Sequence, residues 1–535
     1  MLCYFAAWWD KPPLQVEEIK LAIFLCPPQP PAKDVIKCAE QRDEKRSGAG
    51  TAYSQHITMQ KSVTRFFSNP NRLLLLLLAV WWVANLFQAA FMELHYDEAY
   101  YWMFSQKLDW GYFDHPPMTA LLIRAGALFS DGELGVRLLT TLLQPIYLYL
   151  FWTLLRTPES RRREVVLYVL LCASVPMLQV YGFVATPDAP LMFFTALLLV
   201  VYRKFITSGR PVWTAMLGLS MGLLAYSKYH GALVVACIVL SNISLLRNRR
   251  FYAAVLVAFV VILPHLYWQY GHDWASFRYH LMDRNKTFRA SYVTEYLLNT
   301  LGCYNPLLVP LAVYALVKGR IKHALGRPMV YLAVGFFFFF LLSTLRGYVQ
   351  PQWTLPVAYS MVFALYLYAV KNVRVGRYLM RVGYVSVGLL LVVRLAVMTG
   401  ALSFTNLVFF NNKARYQAIA QASEGAPTLF SSSYKTPSMY AFYTRRPCDS
   451  QRTLHGRKSQ YTLWSLDEQF RGQRVMVELP EGGCEIALPR GGKFCYTFVD
   501  CYIPIRELQQ MAARPDFRPD LLDPTLLMLL NQANE

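Results

Sequence analysis

The sequence predicts a polytopic α-helical membrane protein with a small α+β domain at its C-terminal end. Three observations carry that prediction. Of the 535 residues, 55% are hydrophobic and only 16% charged, against about 25% charged in ordinary soluble domains. The apolar residues fall in repeated runs of roughly 17–25, the length that crosses a bilayer as a helix. The basic residues recur between alternate runs, always on the same side. Lys and Arg number 53 against 33 Asp and Glu, a net charge of +20. In a soluble chain that excess would point to nucleic acid; distributed between apolar runs it is a topology signal.

Residues 1–60 read as a disordered extension, from Pro27-Pro28-Gln29-Pro30-Pro31 and the charged run Gln41 to Arg46. Met59 followed by Gln60–Arg65 is a natural short basic lead into the first span, so the preceding stretch reads as upstream translation. The membrane domain is expected over 61–402, with spans near 73–92, 136–155, 164–183, 189–203, 212–227, 230–246, 251–270, 298–317, 329–345, 354–370 and 382–402. Basic clusters flank them: Lys61/Arg65/Arg72, Arg156/Arg161–Arg163, Arg203/Lys204/Arg210, Arg247/Arg249/Arg250, Lys318/Arg320/Lys322/Arg327 and Lys371/Arg374/Arg377/Arg381. All fall on one side, which the excess of basic residues makes cytoplasmic. The opposite side receives the first outer loop, 93–135, and the tail 403–535. Segments such as Arg474–Leu479 and Lys493–Val499 read as strands between turns. The ten cysteines show no CxxC or zinc spacing. Cys172 and Cys237 lie in apolar runs, whereas Cys448, Cys484, Cys495 and Cys501 are disulfide candidates if the tail is extracytoplasmic.

The outer face collects the unusual polar residues. The first loop carries Glu93, His95, Asp97, Glu98, Asp109, Asp114 and His115; the later turns add Asp188, Lys228, His230 and Arg346. Each has a plain structural reading. Asp97 and Glu98 suit the first turn of a helix, Asp188 suits a helix start beside Pro187, and Lys228 or Arg346 suit flanks that snorkel to the interface. His265, inside the seventh span, reads as a satisfied core histidine. Together they place carboxylates, which accept protons or stabilise a developing cation, beside cations that hold a phosphate leaving group. That combination fits transfer of a group from a lipid phosphate at the membrane surface. It identifies no sugar.

Tyr96-Asp97-Glu98-Ala99-Tyr100-Tyr101, Asp114-His115-Pro116-Pro117, Thr186-Pro187-Asp188-Ala189-Pro190 and Ser227-Lys228-Tyr229-His230-Gly231 resemble the dolichyl-phosphate-mannose–protein mannosyltransferase superfamily. They are more similar to its bacterial glycosyltransferase family 39 branch, the one that includes lipid A aminoarabinose transfer. The likeness covers roughly residues 65–400. It implies a GT-C fold with its active site in a cavity at the outer face, a polyprenyl-phosphate-linked sugar donor, a lipid or glycan acceptor of the lipid A or envelope type, and inversion at the anomeric carbon. On matching positions it implies Asp97, Glu98 and Asp188 as the catalytic set. Lys228, Arg346 and Tyr348 become contacts of the donor phosphate, with His115 and His230 in support. For a hydroxyl acceptor Asp97 is a base; for an ionised lipid A phosphate it orients the acceptor or stabilises charge on the sugar. Members of the family differ over a divalent metal, and no ligand cluster in the sequence points to one. The implied location is a bacterial inner membrane, with the N-terminus cytoplasmic and the C-terminal domain periplasmic.

Two other classes share some features. A transporter or flippase for lipid-linked glycans would have the same spans and basic loops, but would more often show internal repeats and charges near the midplane. A glycan ligase or polymerase would carry its long outer loop late in the membrane domain, whereas here it comes first.

Overall fold

The computed structural model describes residues 69–283, 288–318, 323–402, 409–450, 458–489 and 491–534; the expected extension over 1–60 lies outside them. The first helix, α1 (Pro70–Phe91), starts where the sequence dictates. The Asn69 side chain accepts from the amides of Asn71 and Arg72, and Pro70 takes the first helical position. After it come α2 (Tyr96–Gln106), α3 (Met118–Gly126), α4 (Gly132–Leu155), α5 (Arg162–Ala173), α6 (Pro176–Val180), α7 (Asp188–Thr207), α8 (Pro211–Ser227), α9 (Gly231–Ser241) and α10 (Arg249–Gly271). Then follow α11 (Ala275–Arg278), α12 (Ala290–Cys303), α13 (Val309–Lys318), α14 (Gly326–Ser343), α15 (Val357–Lys371) and α16 (Val373–Met398).

Six helices, α1, α4, α7, α10, α14 and α16, are long and apolar enough to cross a bilayer. The other expected spans are shorter or broken, for local reasons. Pro176 interrupts the third, because the residue before a proline leaves helical geometry. The sixth, expected over 230–246, ends as an α-helix at Ser241 and continues only as a 3-10 turn. The eighth, expected as 298–317, is two helices, α12 and α13. Asn305 between them adopts a left-handed conformation (φ 74°) and Pro306 follows. One end of the bundle gathers the basic residues: Arg156 reaches Asn71, and Arg250 donates to the carbonyls of Ser208 and Arg210.

Beyond α16 lie α17 (Asn412–Ala422), α18 (Lys435–Thr444), α19 (Gln460–Trp464), α20 (Ile505–Ala512), α21 (Pro524–Asn534) and five strands. These are β1 (Thr428–Phe430), β2 (Cys448–Ser450), β3 (Val475–Leu479), β4 (Cys484–Ala487) and β5 (Lys493–Val499), in the order β2-β1-β3-β5-β4. β1 runs parallel to β2 and β3; β5 runs antiparallel to β3 and β4. The period-2 pattern sorts the side chains. Leu429, Val475, Val477 and Val499 pack under α20 and α21. Phe430, Met476 and Phe494 pack on the other face, in one core with Tyr416 and Tyr440 of the domain and Leu94, Tyr100, Trp102 and Phe104 of the first outer loop. The tail is therefore α+β as expected, but it shares its core with the outer loop instead of standing apart. The described cysteines are free. The β4–β5 register sets Cys484 opposite Tyr496 and Cys495 opposite Glu485, so those two thiols do not face each other.

Candidate active site

α2 begins with a reciprocal cap. His95 Nδ1 accepts the Asp97 amide at 3.1 Å, and Glu98 accepts the His95 amide at 2.9 Å. Since its Nδ1 is an acceptor, His95 is neutral. Burial lowers its pKa, against the opposing charges of Asp97 and Glu98. The cap sets Asp97 in the first turn of α2, its side chain 23% exposed. Tyr434, from the C-terminal domain, donates its hydroxyl to Asp97 Oδ1 at 2.9 Å.

Glu98 points the other way and is fully buried. Its Oε1 accepts from Arg137 Nε (2.7 Å) and the Ala185 amide (2.8 Å). Its Oε2 accepts from Arg137 Nη2 (2.6 Å) and the His95 amide (2.9 Å). Burial opposes ionisation, but Arg137 and the two amides outweigh it and hold the carboxyl below its usual range. Arg137 spends its remaining donors on the carbonyls of Ala89, Met92 and Glu93 at the end of α1. This pair ties together α1, α2, α4 and the segment leading to Asp188. Glu98, expected in the catalytic set, has every lone-pair direction taken and none facing solvent.

Asp188, the first residue of α7, is 3% exposed. Its Oδ1 accepts from Lys228 Nζ at 2.7 Å, both side chains being buried. Two residues given separate roles by the sequence are therefore one ion pair, linking the start of α7 to the end of α8. The loop bearing Asp114 and His115 is strapped down through its backbone. The Trp110, Tyr112 and Asp114 carbonyls meet His265, Ser276 and His280 respectively, at 2.7, 2.8 and 3.0 Å. His265 also meets the Tyr229 hydroxyl at 3.2 Å, which makes it the satisfied core histidine expected. The His115 ring packs edge-on against Tyr101 at 5.4 Å. The Tyr101 phenol is pushed far up by burial and then by Asp97, Asp114, Tyr434 and Asp188, the groups that surround it. His230 lies against Phe340 and Trp353.

Arg346 and Tyr348 are exposed on the turn after α14. Among the described residues Arg346 has no ion-pair partner, and neither contacts Asp97 or Asp188. No group of three His, Cys, Asp or Glu side chains among the described residues is disposed to hold a metal ion, and none is assigned.

The sequence reading missed Arg137, Tyr434 and Gln460. Arg137 carried a signal: a cation one residue inside an expected span, where an unpaired charge is costly. Tyr434 and Gln460 carried none. Gln460 accepts the Phe113 amide at 2.7 Å, and its own amide donates to the Tyr100 hydroxyl at 2.8 Å.

The family model for dolichyl-phosphate-mannose–protein mannosyltransferase matches residues 114–268, a stretch that holds Asp114, His115, Asp188, Lys228 and His230 but not Asp97. Among curated relatives, the lipid A galacturonosyltransferase RgtD of Rhizobium johnstonii is 31% identical over 248 residues, covering 42% of this chain and 50% of that protein. The lipopolysaccharide core galacturonosyltransferase RgtA of the same organism is 32% identical over 211 residues, covering 37% and 42%. The chain thus spans about half the length, or less, of the curated relatives it matches. Among solved structures, ArnT from Cupriavidus metallidurans in the apo state superposes with a TM-score of 0.59 at 15% identity, over 79% of this chain and 97% of ArnT. The same protein bound to undecaprenyl phosphate gives 0.58 at 16% identity over the same shares. The fold is that of the GT-C glycosyltransferases, and the sequence likeness to the family 39 branch agrees with it.

Proposed function

We propose that this GT-C, family 39-like chain is an inverting membrane glycosyltransferase that moves a sugar from a polyprenyl-phosphate donor to lipid A or the lipopolysaccharide core. The names of the two relatives favour a galacturonosyl group as that sugar. The observation that carries the reading is a partly buried carboxylate, Asp97, held by Tyr434 at the same end of the bundle as the buried Asp188–Lys228 pair.

Transfer forms a bond between an acceptor oxygen and the anomeric carbon while the bond from that carbon to the donor phosphate breaks. Polyprenyl phosphate leaves with the electron pair. For a hydroxyl acceptor Asp97 takes the proton; for a phosphate acceptor, already ionised, Asp97 orients it and stabilises positive charge on the ring. Lys228, anchored by Asp188, supplies charge toward the leaving phosphate, and Arg346 and Tyr348 offer the exposed outer contacts. His115 and His230 support the aromatic wall around them. The reaction takes place at the outer face of the bacterial inner membrane, with the C-terminal domain periplasmic.

The test is expression in a host lacking related transferases, followed by mass spectrometry of lipid A and core oligosaccharide. A mass gain of one uronic acid, with a stoichiometric rise in free polyprenyl phosphate, is expected. Unchanged glycolipids in a host that makes the donor would reject the reading. A lipid-linked donor that accumulates on the outer leaflet without transfer would instead indicate a flippase.

A further inference from the structure

The C-terminal domain grips the stretch 93–97 at two points. The amides of Asn412 and Lys413 donate to the Glu93 carboxylate at 2.6 and 3.3 Å. Beyond α17 and β1, Tyr434 holds Asp97, and the next residue, Lys435, lays its Nζ 4.1 Å over the Tyr96 ring. Lys435 is exposed, and its charge is felt at His95, two residues before Asp97. Among the described residues Lys435 has no carboxylate partner and lies against the Tyr96 ring. Such a contact is worth about 0.5–1 kcal/mol on a surface, enough to aim the ammonium and too little to satisfy its three donors. Asp97, the residue after Tyr96, gives its Oδ1 to Tyr434 instead. The arrangement is an exposed cation, laid over Tyr96 and one residue along from the tyrosine that holds Asp97.

We propose that the C-terminal domain completes the acceptor half of the site. Lys435 receives a phosphate carried by the acceptor next to the oxygen that takes the sugar, and Tyr434 is a positioning residue that fixes Asp97. The inference rests on the glycosyltransferase reading and adds to it the residue that meets the acceptor's phosphate. It also explains why the domain shares a core with the outer loop: a lysine that selects the acceptor must keep a fixed distance from Asp97.

The experiment uses the full chain in lipid nanodiscs, with bisphosphorylated lipid A and the same lipid after enzymatic dephosphorylation as probes. Wild type is expected to bind the phosphorylated probe about tenfold more tightly, as one charge-assisted contact provides. Lys435→Ala should erase that preference and Lys435→Arg restore it. Tyr434→Phe, which keeps the ring packed at a tilt against Tyr100, should leave binding unchanged and lower kcat about tenfold or more. A preference that survives in Lys435→Ala, or is absent from wild type, overturns the Lys435 assignment. A Tyr434→Phe protein that loses acceptor binding with kcat unchanged overturns the positioning role. Because binding is read without transfer, Lys435-dependent binding in a protein that transfers no sugar would reject the glycosyltransferase reading alone.

Discussion

Replacing Glu98 by Gln separates a positioning role from a catalytic one. Each carboxylate oxygen accepts from two donors: Arg137 Nε and the Ala185 amide at Oε1, Arg137 Nη2 and the His95 amide at Oε2. Whichever way the Gln amide turns, its NH2 faces two donors, and Arg137 is left charged and fully buried. Breaking one side of a buried pair costs about 3–5 kcal/mol. Replacing both partners by apolar groups costs less, so Glu98→Gln/Arg137→Met should recover part of the loss, with a coupling energy of about 1–3 kcal/mol. The pH dependence has a fixed sign. Glu98 is held below its usual range, so its contribution is present above about pH 4.3, the unfolded value, and is lost as pH falls through its lower folded value. Thermal unfolding of the detergent-solubilised chain, read beside sugar transfer, is the assay. A Glu98→Gln protein as stable as wild type but inactive would refute the reasoning and return Glu98 to the reacting groups.

Three further outcomes are expected. Lys228→Met leaves Asp188 buried without its cation, so it should destabilise by about 3–5 kcal/mol and raise the donor KM; Asp188→Asn/Lys228→Met, compared in a double-mutant cycle, should be less than additive. Gly135→Ala should destabilise by about 1–3 kcal/mol in thermal unfolding, because a Cβ there would clash with the Ser130 carbonyl and force the 127–130 turn away from α4. In the C-terminal domain, burial and then the charge of Asp467 push Asp449 up to about 8. Folding therefore takes up a proton, and the stability this gives is full below about pH 3.9 and lost as pH rises toward 8. Protection of segment 458–470 against hydrogen exchange, taken relative to the intrinsic base-catalysed rate at each pH, should be lower at pH 9 than at pH 6, and equal protection at both would contradict it.

The fold was legible where single residues dictate it. Asn69-Pro70 marks a helix start, Arg474–Leu479 and Lys493–Val499 alternate as strands, and apolar run lengths locate the six long helices. It was illegible where a run looks continuous but its backbone is not, as at Asn305-Pro306. Of the candidate site, Asp97, Asp188 and Lys228 were legible as candidates, because charged residues at the outer ends of apolar runs are conspicuous. That Asp188 and Lys228 form one pair was not legible, since 40 residues of chain separate them. Nor was the contribution of Tyr434, 337 residues from its partner. Such contacts follow from how the C-terminal domain docks on α2, which no local pattern encodes.

The most direct measurement is single-turnover transfer by purified wild type and Asp97→Asn, with a polyprenyl-phosphate sugar donor and lipid A acceptor, followed as release of polyprenyl phosphate. Asn keeps the Tyr434 contact and the shape of the side chain while removing the charge. A hydroxyl acceptor predicts a fall of about 10²–10⁴ with thermal stability unchanged, and an ionised phosphate acceptor predicts a smaller fall of the same sign. Release at the wild-type rate from a stably folded Asp97→Asn protein would contradict the assignment of the reaction to this carboxylate.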